Sequence, residues 1–248
     1  LEKTLKKAFY SLADNILLYG DYAKQLMIKE GFNSKKLHVI YNSLAYDKQK
    51  SLRNNLKIKD IYASHFRNNN PNLVFVGRLT KVKKLDFIIR AVADLRKKGE
   101  NYNLTFVGTG EEKEVLLNLS KELNAEDVVW FYGACYDEEK LAELLYNADL
   151  CVSPGNVGLT AMHSMVYGLP VLTHNKFEWQ MPEFEAIIEG KTGSFFEYDN
   201  LKSLETSISG FFKNVTDRET IRKNCFAVID SKFNPHIQLN VIRNVLEI

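Results

Sequence analysis

Cysteine is scarce and scattered. Only Cys135, Cys151 and Cys225 occur in 248 residues, with no Cys-x-x-Cys pair among them. That spacing argues against a disulfide framework and against a zinc site, and it fits a reducing, cytoplasmic compartment. No apolar run approaches the roughly 20 residues of a membrane-spanning helix, and no signal peptide opens the chain. Net charge is small as well. The 33 lysines and arginines against 31 aspartates and glutamates leave +2, so composition gives no reason to expect a nucleic-acid partner. The basic runs Lys81-Val82-Lys83-Lys84 and Arg96-Lys97-Lys98 read as solvated helix ends. There is no internal repeat or low-complexity tract. The first residue is Leu1 rather than methionine, as expected of a processed chain or a piece of a longer one. What remains is 45% hydrophobic and 26% charged, ordinary for a globular protein and enough for one large domain, or one domain with part of another.

From Pro71 onward, short β-rich runs alternate with amphipathic helical stretches. Strands are predicted over 73–76, 104–107, 128–132, 150–152 and 171–172, the first three each stopping at a glycine (Gly77, Gly108, Gly133). Between them Ile88, Ala91, Val92 and Leu95 share one helix face, as do Leu116, Leu119 and Leu123, and then Leu141, Leu144, Leu145 and Ala148. A further helix is expected from about Gly158. Near-continuous apolar strands joined by helices of this length predict an α/β fold, a Rossmann-like parallel sheet with helices on both faces. In such sheets ligands bind beyond the carboxyl ends of the strands, so the loops at Gly77, Gly108, Gly133 and Ser153 share the functional rim. Before Pro71 the pattern differs: a strand over 15–19, a helix over 22–29, a strand over 37–41, then a lysine- and asparagine-rich stretch over 47–70 with weak periodicity. The predicted division is 1–70 as the tail of a preceding domain plus linker, 71–213 as the Rossmann-like unit, and 214–248 as C-terminal helices marked by Ile221, Phe226 and Ile229, then Ile237, Val241 and Val245.

Four loops carry candidate chemistry. In Gly77-Arg78-Leu79-Thr80-Lys81-Val82-Lys83, glycine admits close backbone approach, and Arg78 offers a planar fork for phosphate oxygens that Lys83 can join. Solvation of a helix start is the competing account. Val107-Gly108-Thr109-Gly110 holds two glycines where a dinucleotide fingerprint needs three, so it reads either as a close backbone contact or as a ligand-free tight turn. The third loop, 153–165, runs from a strand into a helix whose free N–H groups at Gly158, Leu159 and Thr160 form an anion site. His163, one turn in, either hydrogen-bonds a hydroxyl or is structural. In Met181-Pro182-Glu183, Pro182 suits a helix start, Glu183 suits the dipole, and Gly190 suits a helix stop, all of which capping explains without a ligand.

Taken in order and spacing, these segments resemble the C-terminal domain of retaining glycosyltransferases of family GT4, which adopt the two-domain GT-B fold. The resemblance runs from about Asn15 to about Phe212. It rests on Arg78 with Lys83 five places on, the Val-Gly-x-Gly turn, Tyr146-Asn147-Ala148-Asp149, Gly158-Leu159-Thr160, Tyr167-Gly168-Leu169-Pro170-Val171, and Pro182-Glu183 with Gly190 and Thr192-Gly193. The resemblance implies a donor site for a UDP- or GDP-sugar, with Arg78 and Lys83 neutralising the leaving diphosphate. Gly77, Gly108, Gly110, Gly158, Leu159, Thr160, His163 and Glu183 would contact the nucleotide sugar, with the base near the loops after Val107 and Tyr132. No metal or other cofactor is implied, and the sequence offers no Asp-x-Asp to hold one. The family carries two glutamates eight positions apart, one on the sugar and one on the ribose hydroxyls; here these positions are Gly155 and His163.

The resemblance further implies a glycan or lipid-linked acceptor, cytoplasmic work that admits peripheral membrane contact, and a chain holding only the end of the acceptor domain before about residue 45. Such a chain binds nucleotide and transfers sugar poorly. Two other readings remain at this stage. A non-catalytic sugar-nucleotide-binding module is favoured by Gly155, and a sugar-nucleotide epimerase shares the fold.

Overall fold

A computed structural model describes residues 2–214 and 217–247. Leu1, Val215, Thr216 and Ile248 lie outside the described residues, and with them the outer ends of the first and last predicted segments. The chain opens with helix α1 (Glu2–Ser11), strand β1 (Ile16–Leu18), α2 (Asp21–Lys29), β2 (Leu37–Val39), α3 (Tyr46–Arg53) and α4 (Ile61–Phe66). It continues through β3 (Asn72–Val76), α5 (Asp86–Lys97), β4 (Asn103–Val107), α6 (Lys113–Glu122), β5 (Val129–Gly133), α7 (Glu138–Asn147), β6 (Leu150–Ser153) and α8 (Leu159–Val166). β7 (Val171–His174), β8 (Gly193–Phe196), α9 (Leu201–Asn214), α10 (Arg218–Ser231) and α11 (Pro235–Leu246) complete it. No helix among the described residues is long and apolar enough to cross a membrane.

The main sheet has six strands in the order β5-β4-β3-β6-β7-β8, and every pairing in it is parallel. Side chains alternate along each strand. Leu73 and Phe75 point into one core with Leu150, Val152 and Leu172, against α5, α6 and α9. Val74, Cys151 and Val171 point into the other, against α7, α8 and α10. Burying both faces is what demands near-continuous apolar strands. The chain runs outward from β3 to β5, then returns to β6 and runs outward the other way. Strand order therefore reverses between β3 and β6, where the carboxyl ends open a crevice.

Three expectations need correcting. Residues 47–70 are not a bare linker: α3 and α4 seat Tyr46 and Tyr62 in the α7–α8 core at 5% and 2% exposure. Their periodicity is weak because two other inward positions are polar and bonded, Gln49 to Glu138 and Arg53 to Asp230. Pro182 does start a turn of helix, but a 3-10 one that ends at Ala186, so Gly190 stops no helix; it lies in the turn before β8 with φ +72°. β8 itself, Gly-Ser-Phe-Phe, has too little apolar pattern to read as a strand, and it forms because Gly193 lies flat against Val171.

Close backbone packing at the rim sets one testable demand. A Cβ on Gly108 would sit 1.9 Å from the carbonyl oxygen of Gly77, so Gly108→Ala must push two strand ends apart. Overpacking of this kind costs roughly 1–3 kcal/mol, and thermal denaturation of the variant should show a melting temperature lower by about 2–4 °C per kcal/mol.

Candidate functional site: an anion cradle at the strand reversal

The site starts where β3 ends. Thr160 Oγ1, in the first turn of α8, donates to the Val76 carbonyl at 2.9 Å and so anchors the helix start beside Gly77. Gly158 caps α8 with φ +53° and supplies no side chain, so no side-chain oxygen competes for the helix end. The N–H groups of Gly158, Leu159 and Thr160 find no acceptor among the described residues, whereas Val157 N–H is taken by Gln180 Oε1 at 2.8 Å. Unpaired amides at a helix start carry the positive end of the dipole.

Two cations lie on the loop that follows β3. The Arg78 side chain is exposed and makes no hydrogen bond or ion pair among the described residues. Lys83 leaves a 3-10 turn (Lys81–Lys83) and is half-buried. Its Nζ donates to the Asn156 carbonyl at 2.6 Å and to Asn156 Oδ1 at 2.9 Å, which places it over the loop feeding α8. Burial, followed by the like charge of Arg78, pushes the Lys83 ammonium below its ordinary pKa, and Glu183 pulls the other way. An anion bound beside Lys83 would offset both effects.

The glycines divide by role. Gly77 (φ +144°) lies within reach of Thr160 Oγ1. Gly108 and Gly110 instead meet backbone, since a Cβ on either would collide with the carbonyl of Gly77 or of Leu79. Their smallness is accounted for by loop packing. Gly155 behaves in the same way: its N–H donates to the Lys83 carbonyl at 3.0 Å, and a Cβ there would fall 2.1 Å from Val82 O and 2.7 Å from Lys83 Cα. No carboxylate could stand at 155 without displacing the turn that carries Lys83.

His163 is engaged rather than free. Its Nε2 lies 2.9 Å from Glu138 Oε1, an atom that also accepts from Tyr167 Oη at 2.6 Å and Gln49 Nε2 at 2.9 Å. His163 in first place, with Tyr167 and Gln49, holds the Glu138 carboxyl down at about 2 against the opposing effect of burial. Glu183 is buried at 3% exposure; its Oε1 accepts from Asn42 Nδ2 at 2.8 Å, while Oε2 is buried with no partner. The structure places Gly77, Arg78 and Lys83 on the loop after β3 and Gly158, Leu159 and Thr160 at the start of α8, the two joined by the Thr160–Val76 and Lys83–Asn156 contacts, and it ties His163 to a residue that sequence reasoning missed. Nothing local marks Glu138, because its partners come from positions 49, 163 and 167. Asn156 and Gln180, which fix the loop, were likewise legible only as polar residues near a strand end.

Residues 57–227 match the family described as glycosyl transferases group 1, and the chain belongs to it. It is similar to an uncharacterized glycosyltransferase of Methanocaldococcus jannaschii, 26% identical over 238 residues, which cover 94% of this chain and 58% of the relative. Among solved structures, a glycosyltransferase from Rickettsia africae superposes with a TM-score of 0.77 at 17% identity, over 98% of this chain and 67% of that one. An Anabaena protein crystallised with UDP gives 0.74 at 18%, over 95% and 64%. These likenesses match the six-stranded parallel fold to GT-B glycosyltransferases. The chain spans about 40–58% of the length of the first curated relatives that it matches.

The rim also predicts a pH response. His174 ends β7 at 1% exposure and its Nδ1 accepts from Lys176 N–H at 3.1 Å. Burial first, then the charges of Lys84 and Lys176, depress its pKa to about 4. Between the ordinary value of about 6.5 and 4 the unfolded chain binds the extra proton, so stability falls as pH falls through that window. Urea titrations from pH 7 to 4 should show a loss on the order of 2–3 kcal/mol from this group, and His174→Gln should flatten that part of the slope.

Proposed function

We propose that the chain is the donor-binding half of a retaining glycosyltransferase of the GT4 kind, acting on a nucleoside-diphosphate sugar. The observation that carries this reading is the seating of the Lys83 ammonium on the loop that feeds α8, with Arg78 on the same β3–α5 loop and the amides that open α8 unpaired among the described residues. A diphosphate fits there as a doubly charged anion facing two cations and a helix dipole. As the glycosidic bond breaks, negative charge grows on the leaving diphosphate. Fixed positive charge already in place then stabilises the transition state more than the ground state. Neither step calls for a metal or another cofactor. The Anabaena neighbour holds UDP, and UDP-glucose in a further crystal; this favours UDP over GDP as the carrier.

In this reading residues 71–213 form the donor unit, residues 1–70 carry the end of an acceptor domain, and residues 214–248 close the back of the unit. Glu183, with its unpaired buried oxygen, stands in reserve behind Lys83. The hydroxyls of the transferred sugar meet Asn156 and the 174–183 segment in place of a carboxylate at 155. The acceptor is a glycan or a lipid-linked sugar, handled on the cytoplasmic side with peripheral membrane contact where the acceptor is a lipid. One observation favours a second reading, a module that binds sugar nucleotides without transferring: the Lys83 turn fills the space that a carboxylate at 155 would need. Tight binding of UDP-sugar without turnover in the full-length parent would select that second reading.

Arg78→Ala and Lys83→Ala should each weaken nucleoside-diphosphate binding by at least about tenfold, about 1.4 kcal/mol. Isothermal titration with UDP and GDP on the purified chain is the measurement, and unchanged affinity in both variants would count against the proposal.

A further inference from the structure

Glu138 is built into the rim more carefully than a surface carboxylate requires. Asp137 caps α7 by accepting from the N–H groups of Glu139 and Lys140, which fixes the backbone at the helix start. Glu138 Oε1 then takes three donors from different parts of the chain: Gln49 on α3, His163 on α8 and Tyr167 just past the end of α8. Its other oxygen, Oε2, makes no hydrogen bond among the described residues, yet it is not one of the buried unpaired atoms, and 22% of the side chain is open. The carboxyl stays ionised across the working pH range, because the His163 contact above all holds it near 2. An ionised carboxylate has only acceptor sites to offer, so Oε2, open to solvent, can exchange water for the O–H groups of a ligand.

The position says which donors. His163, which touches Glu138, lies four residues beyond Leu159, one helical turn or about 6 Å from the amides of the anion cradle. A nucleoside diphosphate with its phosphates on those amides extends its ribose over roughly that distance. The ribose carries the one vicinal diol of the nucleoside, a pair of O–H donors suited to a single carboxylate. His163 is a poorer partner for it, because its Nε2 is already committed to Glu138.

We propose that Glu138 is the carboxylate that receives the ribose hydroxyls of the donor nucleotide, with Gln49, His163 and Tyr167 as the positioning residues that hold it. The proposal rests on the nucleotide-donor reading above. A carboxylate delivered from α7 takes the place of one on α8, and the histidine at 163 is its holder.

The test is discrimination between ribo- and deoxyribonucleotides. Titration calorimetry with UDP against 2′-deoxy-UDP, and GDP against 2′-deoxy-GDP, should show the wild-type chain preferring the ribonucleotide by about tenfold, the scale of a hydrogen bond to a charged group. In Glu138→Gln the preference should collapse toward unity while inorganic pyrophosphate binds as in wild type. A carboxylate that merely buckled α3, α7 and α8 together would weaken ribo- and deoxyribonucleotides alike and leave their ratio unchanged. If Glu138→Gln does not fold, Glu138→Asp keeps the charge, withdraws the carboxylate by one methylene, and should lower the same ratio. A ratio preserved in either folded variant overturns the proposal, as does a ratio lost in His163→Ala but kept in Glu138→Gln. If the wild-type chain binds neither UDP nor GDP, the nucleotide-donor reading fails and this proposal with it; nucleotide binding with an unaltered ratio sinks this proposal alone.

Discussion

Like charge held close together is the constraint around which this rim is arranged. Arg78 and Lys83 share the loop after β3, and burial first, then the like charge of Arg78, disfavours the ionised form of Lys83. The surroundings are shaped to hold that arrangement. Asn156 presents both its carbonyl and its side-chain oxygen to Lys83. Gly155 gives up any side chain so that the Lys83 turn can lie against the loop. Thr160 ties the α8 start to the end of β3. These contacts fix Lys83 on the loop before α8 and leave the helix-end amides without acceptors among the described residues.

The segment between β7 and β8 couples this cradle to the N-terminal part of the chain. Gln180 bonds the loop before α8 and the end of β7. Phe177 stacks on Phe184 at 4.6 Å, and Tyr22 meets both rings edge-on. Glu185 accepts from the N–H groups of Asp21 and Tyr22, both at 2.7 Å, and thereby caps α2 from across the fold. Glu183, two residues earlier, holds Asn42. One short stretch thus borders the donor loop on one side and fixes β1, α2 and β2 on the other.

Strands β3 to β7 were legible because each is a run of mostly apolar residues, and the crossover helices because they show a 3.6-residue stripe, as at Ile88, Ala91, Val92 and Leu95. That Arg78 and Lys83 follow β3 and that Gly158–Thr160 open the helix after β6 was legible for a related reason, since both follow from the order of elements. What escaped was non-local. α3 and α4 are held by Tyr46, Tyr62 and paired polar residues, and a search for apolar stripes passes over them. β8 depends on Gly193 lying against Val171, a contact invisible in its own four residues. Gly110 reads in sequence as room for a ligand, whereas the Leu79 backbone occupies that room. Glu138 is one acidic residue in Asp137-Glu138-Glu139 until the fold gathers Gln49, His163 and Tyr167 around it.

The most direct test of the account is a crystal structure of this chain with UDP. The account predicts diphosphate oxygens within hydrogen-bonding distance of the Arg78 guanidinium, the Lys83 ammonium and at least two of the amides of Gly158, Leu159 and Thr160. A diphosphate bound elsewhere, or turned away from the start of α8 with Arg78 and Lys83 unliganded, would contradict it.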